Sequence, residues 1–247
     1  MSDSSAPSVT TALILAAGNG DRFRGSSRRS KLLAPLAGTP LLTRTLRSAK
    51  RAGIAEAHVV IGYDAERVQR LATSSSPRGL RLHFHLNPRW RQENGVSVLA
   101  AREAMQDRPF ALMMGDHLFE PGVLRRLLRM SRAPGEALLA CDAQETLPAI
   151  VEEATKVRMC GERVTAIGKA LDPFDALDTG LFVCGSSLFG ALLESCEAGD
   201  TSLSGGIARL SARGLVRGVD IGDAQWCDID TVADLRMAEQ LVTNVRT

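Results

Sequence analysis

The chain has 247 residues, 45% of them hydrophobic but only 4% aromatic, enough for one substantial core built mainly from aliphatic side chains. Its 30 basic and 28 acidic residues give a formal net charge of +2, a balance that argues against a general nucleic-acid or membrane-surface binder. No run reaches the roughly 18 apolar residues of a membrane span, and the five cysteines (Cys141, Cys160, Cys184, Cys196 and Cys227) form no CxxC pair, so buried thiols and a reducing, cytoplasmic setting are expected.

Residues 1–10 form a polar, Ser-rich arm expected to be disordered, ahead of a single domain over 11–247. Residues 11–17 are a continuous apolar run that stops at Gly18, the pattern of a strand buried on both faces of a parallel sheet. After a glycine-bearing loop, Pro40 opens a helical pattern with Leu42, Leu46 and Ala49 on one face, and Gly53 closes it. A strand is predicted at 58–61. Asp64 is then placed to cap a helix carrying Val68 and Leu71, and the alternation of Leu80, Leu82, Phe84 and Leu86 predicts another strand. A loop around Asn94 and Gly95 leads into a helix to about Met105, and 110–114 read as a strand stopped by Gly115 and Asp116. From Glu136 the texture changes. Strands are predicted at 137–141, 155–159, 164–167, 181–184 and 215–221, and helices at 187–196, 203–212 and 232–242. The alternation of strand and helix before that point predicts parallel pairing under helical layers. The expected fold class is α/β: a Rossmann-like mixed, mostly parallel sheet flanked by helices in three α/β/α layers.

The loop Leu15-Ala16-Ala17-Gly18-Asn19-Gly20-Asp21-Arg22 joins the first strand to a basic stretch with no acidic residue between Asp21 and Glu56. Strand C-termini are where open parallel sheets bind ligands, and two glycines let backbone N–H groups approach phosphate oxygens. A dinucleotide fingerprint would need glycine where Phe23 stands, and a Walker A loop would need lysine where Ser26 stands. What remains is a GxGxR loop followed by Ser30-Lys31-Leu32-Leu33, in which Arg22 and Lys31 would neutralise phosphate charge. A solvated basic turn is the competing reading.

Carboxylates supply the second signal. Asp116 ends an apolar strand beside Gly115, and Asp228 and Asp230 alternate onto one face of Trp226-Cys227-Asp228-Ile229-Asp230. Magnesium takes a few hard oxygen ligands and bridges phosphates, so carboxylates from separate strands suit it, although Asp116 also reads as a turn residue and Asp230 as a helix cap. His83 and His85 share a strand face, but no third ligand is evident from sequence, and packing is the expected role. His117 adjoins Asp116 and reads equally as an acceptor-binding or a turn-shaping residue.

Together these motifs resemble the nucleotidyltransferases of glycosyltransferase-A-like fold, and among them the CTP:inositol-1-phosphate cytidylyltransferases. LILAAGNGDRF and SKLL resemble the signature loop, ENGVSVLAA the cytidine-contacting loop, MMGDHLF and WCDIDT the metal segments, and EEATKVR, RVTAIGKAL and DALDTGLFV the acceptor region. The resemblance implies a nucleotide-binding half at 11–135 and an acceptor-binding half at 136–247. It implies that Leu15, Ala16, Ala17, Gly18, Gly20, Arg22 and Lys31 hold the triphosphate side of CTP, that Asn94, Gly95 and Ser97 hold its base, and that Asp116, Asp228 and Asp230 hold Mg²⁺. His117, Lys156, Lys169, Asp178 and Thr179 would face a small phosphorylated acceptor, with Lys31, Arg22 and Asp116 as the catalytic set. The product would pass to a separate membrane synthase. Phosphocholine, an aminophosphonate or a sugar 1-phosphate are the alternative acceptors, and a non-catalytic nucleotide-binding module is the alternative of another class.

Overall fold

The computed structural model describes residues 9–24, 29–105, 108–144 and 148–244. Most of the expected N-terminal arm (residues 1–8) and the middle of the basic loop (25–28) lie outside the described residues. β1 (Thr11–Ala16) is buried along its whole length, as a strand covered on both faces must be. One turn of helix, α1 (Asp21–Arg24), and a 3-10 turn at Lys31–Leu33 follow, and a small hairpin of β2 (Pro35–Leu36) and β3 (Thr39–Pro40) delivers the chain to α2 (Leu41–Ala52). Gly53 ends α2 at φ 112°, a left-handed conformation that costs glycine no Cβ clash. β4 (Glu56–Ile61), α3 (Ala65–Ser75), β5 (Arg81–Leu86), the short helices α4 (Asn94–Leu99) and α5 (Arg102–Met105), and β6 (Phe110–Met114) come next. Asp64 occupies the N-cap of α3, but at φ 54°, and its side chain does not cap the helix. Its Oδ2 accepts the backbone N–H of Ser30 at 3.1 Å instead, so this carboxylate tethers the segment in front of Lys31.

The remainder comprises β7 (His117–Phe119), α6 (Pro121–Arg129), β8 (Ala137–Asp142), α7 (Pro148–Glu153), β9 (Lys156–Cys160), β10 (Arg163–Gly168), β11 (Ala176–Cys184), α8 (Ser187–Glu197), α9 (Leu203–Ala212), β12 (Val216–Asp220), β13 (Trp226–Asp228) and α10 (Val232–Asn244). α6 is absent from the sequence-based order, although its signal is open: Pro121 in the first turn, then buried Val123, Leu124, Leu127 and Leu128. Cys141 and Cys184 are buried as expected, whereas Cys160 is exposed and Cys196 and Cys227 are half-buried. Cys160 is the last residue of β9 before the turn at Gly161, where the strand runs out into solvent.

The strands form a nine-stranded sheet in the order β5-β4-β1-β6-β11-β8-β12-β10-β9. Pairing is parallel across β5, β4, β1 and β6 and again between β8 and β12, while β9, β10 and β11 run antiparallel to their neighbours. Along β1 the side chains alternate between two cores. Ala12, Ile14 and Ala16 meet Leu42 and Leu46 of α2, Val68 of α3 and Leu124 of α6. Leu13 and Leu15 meet Val98 of α4, Met105 of α5, Leu188 of α8 and Ile207 of α9. These are the three α/β/α layers of the expected class. The neighbours of β1, β4 and β6, lie on its opposite sides, which opens a crevice at the strand C-termini. A third, smaller cluster of Leu36, Leu41, Ile229 and Ala238 docks α10 against the β2–β3 hairpin.

α4 sits unusually close to the start of α9. A Cβ on Gly95 would stand 2.5 Å from the carbonyl oxygen of Thr201 and 2.7 Å from that of Ser202. Gly95→Ala must therefore push two backbone segments apart, and should lower unfolding free energy in urea by about 1–3 kcal/mol, the usual cost of overpacking. An unchanged urea midpoint would show that α4 and α9 do not need this approach.

Candidate active site

A cavity of about 1020 Å³ occupies the crevice at the ends of β1 and β6. Leu15, Ala17 and Gly18 line it, whereas Ala16 belongs to the core on the opposite face of the sheet. Gly20, at φ 61°, packs on the aliphatic stem of Lys31, where a Cβ would stand 3.0 Å from the lysine Cγ. This glycine lets the loop lie down on the lysine.

Lys31 opens the 3-10 turn behind Ser30, whose hydroxyl accepts the N–H of Leu32 at 3.3 Å. Only 9% of its side chain is exposed, and its Nζ lies 2.7 Å from Asp116 Oδ2 and 2.6 Å from Asp230 Oδ1. Burial opposes the charge, but Asp116, Asp230 and Asp228 outweigh it, so this ammonium holds its proton more tightly than an ordinary lysine. Asp116 is held below the usual carboxylate range in the same way: burial works against ionisation, and Lys31 and His117 overcome it.

Backbone geometry aims these groups. Gly115 donates its N–H to the carbonyl of Leu15 at 2.9 Å, and a Cβ there would lie 2.7 Å from that oxygen, so β6 ends against β1 only because residue 115 is glycine. β13 pairs antiparallel with β7 and sets Asp228 opposite His117, while Ile229 donates its N–H to the Asp116 carbonyl at 3.3 Å. The side chain of Ile229 is fully buried, which turns its neighbours Asp228 and Asp230 toward the cavity that both line.

Asp116, His117 and Asp228 bring ligand atoms within 4.8 Å of one another. Asp228 Oδ1 is shielded from solvent without a hydrogen bond, with His117 Nε2 3.3 Å away as an ion-pair partner. A solvent-shielded carboxylate oxygen with only the longer His117 contact, beside a second carboxylate, fits a hard divalent cation, and Asp116 and Asp228 are the pair that could hold one. Asp230 stands outside that group. Its Oδ1 takes Lys31, and its Oδ2 takes Arg22, whose other guanidinium nitrogen pairs with Glu153 at 2.6 Å. His117 is a third cation. Burial would lower its pKa, but Asp228, then Asp116 and the Thr179 carbonyl 2.8 Å from Nδ1, raise it to about 10.

The other residues singled out by sequence divide. Asn94 and Ser97 line the cavity, Asn94 Oδ1 accepting the N–H of Leu203 at 2.9 Å and Ser97 Oγ accepting from Asn87 at 3.0 Å. Gly95 faces Thr201 and Ser202 and is not in the cavity wall. Lys169 and Asp178 line the cavity; burial pushes the Asp178 carboxyl up to about 6, against the pull of the Gly180 N–H at 2.7 Å and of His117. Lys156 is not in the wall and donates to the Lys169 carbonyl at 2.9 Å. Thr179 is buried with its hydroxyl on the Ala140 carbonyl at 2.9 Å, so only its own carbonyl serves the site, through His117. Of the further lining residues that sequence reasoning did not place in the site, two stand out. Glu153 is the partner of Arg22, and Trp90 stands in the wall with Tyr63 edge-on at 5.2 Å and Arg91 over its ring at 4.2 Å. A tryptophan in so aromatic-poor a chain was the available signal.

Comparison with known proteins agrees with this geometry. Over 236 residues, 94% of its length, the chain is 39% identical to the "Bifunctional IPC transferase and DIPP synthase" of Rubrobacter xylanophilus, of which it covers 51%. The chain thus spans about half the length of such relatives. It is also 40% identical over 128 residues, 51% of its length, to the "CMP-5'-(3-aminopropyl)phosphonate synthase" of Streptomyces rubellomurinus, of which it covers 20%. Among solved structures, the inositol-1-phosphate CTP transferase from T. maritima superposes with a TM-score of 0.85 at 23% identity over 97% of both chains, a likeness of fold. The architecture is the glycosyltransferase-A-like nucleotidyltransferase fold that the motifs imply. Residues 12–204 match the model of the MobA-like NTP transferase domain, and the chain belongs to that family.

Proposed function

We propose that this protein transfers the cytidylyl group of CTP to a small phosphorylated polyol, inositol 1-phosphate, and releases pyrophosphate. The observation that carries this reading is the ammonium of Lys31 held between Asp116 and Asp230 in one cavity, beside the unbonded oxygen of Asp228. Three segments distant in sequence supply a cation and carboxylates at one point, which is the equipment of phosphoryl-group transfer and not of simple nucleotide sensing. Two activities appear in the name of the bifunctional relative. The cleft supports the transferase, and we assign the synthase step to a separate unit. Among the described residues no helix is long and apolar enough to cross a membrane.

The triphosphate would lie over Gly18 and Gly20, with Arg22 and Lys31 leaving their carboxylate partners for phosphate oxygens. Asn94 and Ser97 would face the base, while Lys169 and Asp178 face the acceptor from the second half of the domain. Magnesium held by Asp116 and Asp228 would supply charge neutralisation at the α-phosphate. The acceptor phosphate, with a second pKa near ~6, is already nucleophilic at neutral pH. One of its oxygens attacks the α-phosphorus in line, the bond to the β-phosphate breaks, and pyrophosphate leaves with its charge balanced by Arg22 and Lys31. No general base is needed, and His117, 3.3 Å from Asp228 and anchored through Nδ1 to the Thr179 carbonyl, would orient that carboxylate. The aminophosphonate reading has one observation in its favour, the likeness to the Streptomyces rubellomurinus protein over 51% of the chain.

A pyrophosphate-release screen crossing four nucleoside triphosphates with inositol 1-phosphate, 3-aminopropylphosphonate, phosphocholine and hexose 1-phosphates tests the pairing. CTP with inositol 1-phosphate should give the highest kcat/KM, and preference for the phosphonate would move the assignment to the second reading. Lys31→Ala and Asp116→Ala should each lower kcat by about 100-fold or more while melting cooperatively, the scale of losing one electrostatic stabiliser. Asp178 yields a pH test. Its raised folded-state pKa means that ionisation costs stability above about 6, and that the cost disappears below the ordinary value of 3.8. Asp178→Asn should therefore be more stable than the parent at pH 8 by on the order of 1–3 kcal/mol and equal to it near pH 4. A stability difference that does not change between these pH values would mean that the carboxylate is effectively solvated.

A further inference from the structure

A second set of ligating groups sits on β4 and β5, and none of its members lines the cavity. The two strands pair in parallel register, with Glu56 opposite Arg81, His58 opposite His83 and Val60 opposite His85, so one face of the sheet edge carries a carboxylate and three imidazoles. His58 is 3% exposed, with the rings of His83 and His85 stacked on it at 4.7 and 5.1 Å. The partners that sequence did not reveal for His83 are thus Glu56 and His58 of β4.

The hydrogen bonds leave one atom unexplained. His58 Nδ1 shares a proton with His85 Nε2 at 2.8 Å, but His58 Nε2 is buried without a hydrogen bond and faces Glu56 Oε1 at 3.4 Å. His83 Nε2 approaches the same oxygen at 2.8 Å. The other carboxylate oxygen, Oε2, is engaged by Arg108 at 2.9 Å and approached by Arg81 at 3.6 Å, which leaves Oε1 for the imidazole side. The tautomer that donates from Nδ1 to His85 turns the Nε2 lone pair toward the Glu56 carboxylate, and a cation bridging a buried nitrogen and a part-buried carboxylate oxygen selects that tautomer.

We propose that His58 Nε2, His83 Nε2 and Glu56 Oε1 bind a divalent transition-metal ion of the zinc class, with water in the fourth position, and that this ion clamps the edge strand β5 to β4. Zinc with nitrogen ligands at about 2.0–2.1 Å in a tetrahedron spaces its ligand atoms roughly 3.3 Å apart. The separations here are 3.4 and 2.8 Å, with all three atoms within 4.8 Å of one another. His85 plays the part of the outer hydrogen-bond partner that fixes the tautomer of a ligating histidine. The His83 side chain is 46% exposed, free to tilt out of the stack toward the ion and to leave the water position open. Two imidazoles and one carboxylate favour zinc over magnesium, which separates this site chemically from Asp116 and Asp228.

The test is equilibrium dialysis against Zn²⁺ with excess Mg²⁺ present, on the full chain and on His83→Gln, His85→Gln and Asp228→Asn, followed by melting of each sample with and without Zn²⁺. The parent chain and Asp228→Asn should each bind one Zn²⁺ with the same affinity and melt at a higher temperature in its presence. His83→Gln should bind at least about 10-fold more weakly and lose the melting shift, and His85→Gln should fall between, as the loss of an outer-shell partner does. No Zn²⁺ uptake by the parent, undiminished uptake by His83→Gln, or uptake abolished by Asp228→Asn would each overturn the proposal. None of these readouts depends on transferase activity, so they stand apart from the proposed reaction.

Discussion

One buried ammonium organises the catalytic half of this molecule. Lys31 has 9% of its side chain exposed and lies within 2.7 Å of Asp116 and 2.6 Å of Asp230. A charge so placed is costly unless paired, and carboxylates so placed would repel each other without it. Each member therefore requires the others. The end of β6, the 3-10 turn after the glycine loop and the segment after β13 are obliged to meet. Much of the local design serves this meeting: Asp64 tethers the backbone before Lys31, Gly20 lies on the lysine stem, and Gly115 lets β6 close on β1.

The lysine, His117 and Arg22 face Asp116, Asp228 and Asp230, so the charges of this cluster are largely paired before any ligand arrives. Binding a polyphosphate and its counter-cation then amounts to an exchange of partners. In the proposed reaction the lysine and arginine would trade carboxylate oxygens for phosphate oxygens, and a divalent ion would be held by Asp116 and Asp228. Such an exchange needs little rebuilding of the site, which is the condition under which electrostatic stabilisation is most effective. Asp178 shows the opposite arrangement across the cleft, where a carboxyl is kept in a position that burial disfavours.

Much of this was legible in the sequence because the informative residues interrupt strong patterns. The apolar run before Gly18 and the run before Gly115-Asp116 each announce a strand and its functional end. Asp228 and Asp230 around Ile229 reveal by alternation that they share a face. What stayed hidden depends on contacts between distant segments. Asp64 reads as a helix cap, and only the fold shows it bound to Ser30. Lys156 and Thr179 belong to motifs that match the acceptor region, yet strand geometry turns one along the chain to Lys169 and the other to Ala140. Glu56 and His58 carry no spacing signal toward His83, because parallel register between β4 and β5, not proximity in the chain, brings them together.

The position of Ile229 has a consequence for how the molecule comes into being. Its side chain is seated with Leu36, Leu41 and Ala238, and together with the β13–β7 pairing it fixes the aim of the two aspartates beside it. During synthesis the strands from β1 to β6 emerge, with Leu36 and Leu41 among them, before Ile229 and Ala238 have been made. The chemistry cannot exist until residue 238 has emerged and docked. A nascent chain short of that point would lack the seat that aims Asp228 and Asp230 into the cleft.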